Sequence, residues 1–488
     1  MDWLPISWPS GPLQAALWER QARPRGDLEM ALQWHEPSAL TLLHGTPVNT
    51  LVVTWAAGLA EDARQQETLR PLLETCRSKG VQVLGRVWRP ADLRLAAARA
   101  REAGLAAIIA EDAAPDSLRD YVIPLVPHDQ VRWSACGRIV AIAGREWPQV
   151  RVSGSSDSVD AGPTGKPWVD ANGWWLKMAE ALAPRTRFWL MTEPPPQKAV
   201  VRAEAYEVAL ADAAVHGGRW VIHPDAAFQA GLARGAAEAV EVWRKVARAA
   251  QFFEQHREWR AWPAAATMGV VSDFAGEGAF LSMEVLNLAA RDQLLLRVIP
   301  LAGATAASFE ELRSVLYLGA GRPPDELRDG LLSYAQQGGL VIVNAGWKDA
   351  PGESDTTRTH RNFDFRRAGK GSIAIAREAW SDPYLLAMEC HVLTSYRYDP
   401  FRIYNAPSVL GYCQRSPDRR RMLVQLVNYS ARPGTEDVTL AVSGGARVAR
   451  LWQFAQSQPV TLAPKYEGLG AEFYLPPIPS YAAIELEM

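Results

Sequence analysis

The first half of the chain switches repeatedly between short apolar runs and amphipathic helical stretches, and this alternation limits the fold more than any other feature. Asn49–Trp55 (NTLVVTW) is followed by DARQQETLRPLLETCRSKG, whose apolar residues recur at helical spacing and which stops at Lys79-Gly80. Val81–Val87 is followed by PADLRLAAARAREAG, which stops at Gly104. Further strands are expected at Leu105–Ala110, Val122–Val126, Arg138–Ala143, Arg187–Thr192 and Arg219–His223, and an opening strand at Leu28–Trp34. A helix is expected around Trp174–Ala183, one near Val200–Val215, and a long one over Ala226–His256. A polar stretch, Ser153–Gly165, reads as a lid-like loop. Repeated βα units need a parallel sheet with helices over it. Eight of them within about 260 residues match an α/β fold of the (β/α)8 TIM-barrel kind, with an open doubly wound sheet as the alternative.

The pattern then changes twice. After Trp262-Pro263, strands such as MGVVSDF, LLLRVIPL, VLYLGAG and LVIVNAG alternate with helices, as in a Rossmann/flavodoxin-like α/β domain. Beyond residue 395, short strands such as MLVQLVNYS, VTLAV, AEFYLP and YAAIELE follow one another through Gly/Pro/Ser turns, as in a β-sandwich. The expected domains are therefore 1–262, 263–395 and 396–488.

Composition narrows the function. Lys+Arg number 52 against Asp+Glu 54, and this balance argues against a nucleic-acid partner. No apolar run is long enough for a membrane helix. The opening MDWLPISWPSG lacks a basic region and an apolar core, so no secretory signal is read and a cytoplasmic location is expected. The four cysteines, Cys76, Cys136, Cys390 and Cys413, have neither disulfide-framework nor metal-ligand spacing, and no metal or cofactor is expected. Tryptophan is abundant, at 19 residues, and offers flat apolar faces on which a sugar ring can stack.

In such a barrel the site lies where the strands end. Acids stand after the fourth strand (Glu111, Asp112), the sixth (Glu146) and the seventh (Glu193). Two carboxyl groups facing each other are what retaining glycoside hydrolysis needs, one as acid/base and one as nucleophile. Glu111 and Asp112 point opposite ways along a strand, so only one of them can serve, and Glu146 is a rival for the acid. Arg86 would hold the nucleophile ionised. Trp55, Arg86, His128, Glu146, Trp147 and His223 are the expected substrate-binding residues, and Trp88 also lies near a strand end. Trp189, in mid-strand, reads as core. Gly276-Glu277-Gly278 is too short a match to a phosphate-binding loop to carry that function.

The succession of barrel, α/β domain and sandwich resembles the family 42 β-galactosidases, whose middle domain is amidotransferase-like. LMTEPPP (Leu190–Pro196), with AVHGGRWVIH after a helix, is similar to that family's strand-seven segment. LVQLVNYS and LPPIPSYAAIELE are similar to its C-terminal domain. The resemblance implies a retaining β-galactosidase-like hydrolase of carbohydrate, with Glu193 as nucleophile and Glu111 or Asp112 as acid/base. It also implies a homo-oligomer, dimer or trimer. The sequence departs from the family at Ala110, where the family has Asn before its acid/base. A catalytically inactive relative that binds saccharide or serves an assembly is therefore the alternative. A nucleotide-binding enzyme built on the middle domain is a third class. Glutaminase chemistry there is not expected, because the comparable strand ends Asn344-Ala345-Gly346-Trp347, without a cysteine.

Overall fold

The structure is a computed structural model that describes residues 2–9, 29–30, 32–56, 62–87, 92–111, 114–151, 167–195, 201–432, 438–446, 448–467 and 470–488. Contacts gather the chain into two compact units. One comprises Met1–Gln149, Asp170–Asn172 and Ala183–Arg257; the other comprises Val150–Val169, Gly173–Leu182 and Glu258–Met488.

The first unit holds eight strands. They are β1 (Pro5–Ser7), β2 (Thr50–Trp55), β3 (Gln82–Val87), β4 (Ala107–Ala110), β5 (Val122–Pro127), β6 (Ile139–Ala143), β7 (Arg187–Leu190) and β8 (Arg219–Trp220). They pair in parallel and in chain order. The ring closes where Ile6 bridges Ile222. The Ser7 N–H donates to the Ile222 carbonyl at 2.8 Å, and the Ile222 N–H to the Pro5 carbonyl at 3.0 Å. This is the (β/α)8 barrel that the alternation of elements predicts.

One expected strand is not a strand. Glu29, Met30, Leu32 and Gln33 are helical, and Trp34-His35 form a turn. Alternating apolar residues at 28, 30, 32 and 34 suggest a strand, but Met30 and Trp34 also lie one helical turn apart, and the helix wins. The true first strand is only three residues long, too short to show a period. Trp34 packs beside its end, with its ring centroid 5.3 Å from that of Trp8, whose indole N–H donates to the Trp34 carbonyl.

Helices α1 (Asp62–Ser78) and α2 (Leu93–Ala103) follow β2 and β3. The Asp92 carboxylate accepts from the Arg94 and Leu95 N–H groups at the start of α2, and Gly104 ends it at φ 82°. Helix α3 (Ala203–Val215) precedes β8. The expected long helix after β8 is two helices, α4 (Ala226–Ala233) and α5 (Ala237–Gln255), broken at Gly235 with φ 64°.

One buried cluster joins Val52, Leu84, Ala107, Ile109, Ile123, Leu125, Ala141, Trp189 and Val221. Side chains from β2 through the end of β8 can meet in this way only inside the barrel. These residues therefore mark the inward row of each strand, and their neighbours point outward to the helices. Gly85, between the inward Leu84 and Arg86, faces outward against Trp55. A Cβ at 85 would stand 2.8 Å from the Trp55 Cβ and 2.9 Å from Leu105 Cδ2. Gly85→Ala is expected to cost about 1–3 kcal/mol, read from the shift in the urea unfolding midpoint.

In the second unit, β9 (Met268–Ser272), β10 (Leu296–Pro300), β11 (Ser314–Tyr317), β12 (Leu340–Val343), β13 (Phe363–Ala368) and β14 (Gly371–Ala376) form a mostly parallel sheet. The order is β10-β9-β11-β12-β14, with β13 and Glu353–Ser354 added antiparallel at the edge. This is the flavodoxin-like order. Helices α6 (Ala279–Arg291), α7 (Asp325–Gln336) and α8 (Pro383–Thr394) belong to this layer. The sandwich follows. A four-stranded sheet runs in the order Phe401–Tyr404, Val438–Ser443, Gly470–Leu475, Tyr466–Glu467. A five-stranded one runs Val409–Arg415, Arg421–Asn428, Tyr481–Glu487, Val448–Trp452, Val460–Leu462. Phe401, Val424, Leu440, Leu451, Phe473 and Ile484 are among the buried residues packed between the two sheets. Among the described residues no helix is long and apolar enough to cross a membrane.

Candidate active site

The inward rows carry polar side chains to the mouth of the barrel. On β3 the row of Leu84 continues to Arg86. On β4 the row of Ala107 and Ile109 continues to Glu111. On β7 the row of Trp189 continues through Met191 to Glu193, and past β8 the row of Val221 continues to His223.

Three of these side chains converge. Glu193 Oε1 lies 3.9 Å from Arg86 Nη1 and 4.0 Å from His223 Nε2. The Glu193 side chain is 62% exposed, so a ligand in the mouth can reach it, whereas His223 is 24% exposed. Burial lowers the His223 pKa below the ordinary imidazole value; the Glu193 charge pulls it back up, and Arg86 adds to the lowering. At neutral pH the imidazole is therefore neutral, beside the Glu193 carboxyl group and within reach of the Arg86 guanidinium's charge. Glu193→Gln removes the one nearby charge that favours imidazolium most, so the His223 pKa is expected to fall further. An NMR titration of the ring reads this, and an unmoved titration would show that the two groups do not share a field.

The supports of this cluster are not visible as a sequence motif. The Trp220 indole N–H donates to the Thr192 carbonyl at 3.0 Å, which fixes the residue before Glu193. Trp220 is itself wedged against Trp147, with ring centroids 5.5 Å apart, and Tyr206, at 6.0 Å. The Tyr206 hydroxyl donates to Asp225 Oδ2 at 2.6 Å, and the same carboxylate accepts from the Val201, Ala227 and Phe228 N–H groups. Asp225 thus caps α4 and holds the chain two residues beyond His223. A second network steadies the loop after β6. Asp212 of α3, fully buried, accepts from the Asn172 backbone and side-chain N–H groups. Asn172 in turn accepts from Arg145 Nε at 2.9 Å and donates to the Glu146 carbonyl at 3.1 Å.

The remaining expected site residues are spread out. Trp55 is fully buried; its position on the outward row turns it to the helix layer, where its indole N–H donates to the Ala96 carbonyl at 3.2 Å. Trp147 is 7% exposed and packs in the Tyr206–Trp220 cluster. Both indoles are packing residues, and neither presents a face on which a sugar could stack. Trp189 is core, as its mid-strand position suggests. Glu146 is exposed, tied through its backbone. His128 lies against the Gly144 turn, and burial, followed by the charge of Arg145, lowers its pKa. Glu111 is exposed just past β4. Asp112, Trp88 and the Ser153–Gly165 loop lie outside the described residues. Among the described residues no group of three or more His, Cys, Asp or Glu side chains could hold a metal.

Solved structures resemble this arrangement of barrel, flavodoxin-like layer and antiparallel sandwich. The α-L-fucosidase isoenzyme 2 from Paenibacillus thiaminolyticus matches 93% of this chain and 96% of its own at a TM-score of 0.54 and 11% identity. A β-galactosidase from Bacillus circulans sp. alkalophilus matches 88% of this chain and 68% of its own, at 0.43 and 8% identity. The exo-β-1,4-mannosidase Op5Man5 from Opitutaceae bacterium strain TAV5 matches 77% and 91%, at 0.46 and 15% identity. No protein-family profile matches the sequence, and no curated protein matches it. At these identities the likeness is one of fold.

Proposed function

We propose that the chain is a retaining glycoside hydrolase acting on a β-linked sugar, with Glu193 as nucleophile and Glu111 or Asp112 as acid/base. The observation that carries this reading is the convergence of Arg86 and His223 on an exposed carboxylate at the end of β7. In this reading Glu193 attacks the anomeric carbon while the strand-four acid protonates the leaving oxygen. A glycosyl-enzyme ester forms. Water, deprotonated by that same strand-four group, then hydrolyses the ester. Arg86 places a positive charge beside the attacking carboxyl group. The neutral His223 can donate one hydrogen bond without adding a charge that the ester would have to lose.

The test is a panel of nitrophenyl glycosides that includes β-galactoside, β-mannoside and α-L-fucoside, with the first-formed product read by proton NMR. Turnover with retained anomeric configuration is expected, and inversion would overturn the double displacement. Ala110, where an Asn would be expected to meet the sugar, favours the second reading, saccharide binding without turnover. A rise in melting temperature with free sugar and no hydrolysis anywhere on the panel would establish that reading instead.

A further inference from the structure

A buried ionic cluster sits in the second unit where the α/β layer hands the chain on to the sandwich. His391, near the end of α8, is 3% exposed. Its Nδ1 lies 2.8 Å from Asp292 Oδ2, just past the end of α6, and its Nε2 lies 3.3 Å from Asp399 Oδ2, just before the first sandwich strand. Ionised carboxylates only accept hydrogen bonds, so both ring nitrogens must donate, and only the imidazolium can do so. Two further groups lie against the cluster. Arg402 Nε stands 3.5 Å from the same Asp399 oxygen, and the Tyr396 ring covers the imidazole at a centroid distance of 4.0 Å. Two cations thus face two anions.

Between His391 and Asp399 the chain turns at Ser395, a non-glycine residue at φ 74°, ψ 118°. Such a conformation persists only when its surroundings hold it, and the carboxylate pair on His391 spans this turn.

We propose that Asp292, His391 and Asp399 form a proton-operated latch: it fastens the turn 395–400 to helices α6 and α8 while His391 carries both ring protons, and releases the turn when one is lost to solvent.

With one proton gone, the neutral ring can donate to a single carboxylate. The other carboxylate then faces a nitrogen lone pair, and the cluster has lost the positive charge that both carboxylates share. Burial alone would lower the His391 pKa, but the hydrogen bonds and charges of Asp292 and Asp399 outweigh it and hold it above the ordinary value. The sign follows. A raised folded pKa means that the stabilisation is fully present below the unfolded value. It is lost as pH rises through the folded value.

Arg397 is exposed in this turn and gives trypsin a place to cut. Cleavage after Arg397, followed by mass spectrometry at about pH 6.5 and about pH 9, is compared between the native chain and His391→Gln at each pH. Relative to the variant, native cleavage is expected to be suppressed at the lower pH. The suppression should be lost at the higher pH, by about tenfold for each unit of raised pKa. An NMR titration of the native His391 ring should place its pKa above the ordinary value. Equal pH dependence of native and variant chains, or a ring that titrates at or below the ordinary value, would overturn the latch. Should His391→Gln fail to fold, Asp399→Asn takes its place, and the native titration decides by itself.

Discussion

Glu193→Gln is expected to lower kcat on a nitrophenyl glycoside that the native chain hydrolyses by about 10⁶-fold, the scale of loss when an enzyme gives up its nucleophile and keeps only what binding supplies. The melting temperature should hardly move. The Glu193 side chain is 62% exposed, and an exposed pair such as Arg86–Glu193 is worth at most about 1 kcal/mol. That contrast is the point of the experiment, because a structural carboxylate would do the opposite. Glu111→Gln or Asp112→Asn, whichever removes the acid/base, should behave differently again. Nitrophenolate leaves without much help from a proton, so an acid/base variant should keep glycosylation of activated substrates and lose alkyl glycosides. If Glu193→Gln retains hydrolysis, the nucleophile lies elsewhere and the double displacement through Glu193 is wrong.

The largest expected loss of stability near the site comes from Asp225→Ala. The Asp225 carboxylate caps α4 through the Ala227 and Phe228 N–H groups, at 2.9 and 3.0 Å, and accepts the Tyr206 hydroxyl. Losing the cap costs about 1 kcal/mol. Leaving the buried Tyr206 hydroxyl without its acceptor costs about 1–3 kcal/mol more. A total of about 2–4 kcal/mol should appear in the urea unfolding midpoint. Asp225→Asn keeps one carbonyl oxygen as acceptor and should recover part of it. Since His223 lies two residues before Asp225, the Ala variant should also lower activity. Were Asp225→Ala as stable as the native chain, the anchoring assigned to this carboxylate would be untenable.

The parts of the site that could be read in the sequence are those fixed by strand parity alone. Arg86, Glu193 and His223 each follow an apolar run, and a two-residue repeat carries them inward once the barrel is granted. Parity also explains the tryptophans, but only after the wall is known. Trp55 ends an apolar strand just as Glu193 follows one, and nothing in NTLVVTW says that its row faces helix α2 and not the mouth. The supports were hidden for a different reason. Trp220 to Thr192 and Asn172 to Asp212 are contacts across 28 and 40 residues, made by residue types that are ordinary in any core. The first barrel strand was hidden by brevity, and its place was taken by a stretch whose apolar spacing suits helix as well as strand.

That brevity matters for how the barrel is made. The seam between Ile6 and Ile222 joins the two ends of the barrel through short strands, so β1 has no lasting partner on one side until residue 222 has been synthesised. At ribosomal speeds the wait is on the order of ten to forty seconds. Throughout it the growing chain carries an incomplete ring with an open edge at each end, the state in which a β protein is most easily drawn into pairing with the wrong neighbour. The seam is the last step of assembly by sequence distance, and substitutions in Pro5–Ser7 should show first as lost yield during synthesis, before any change in the finished protein.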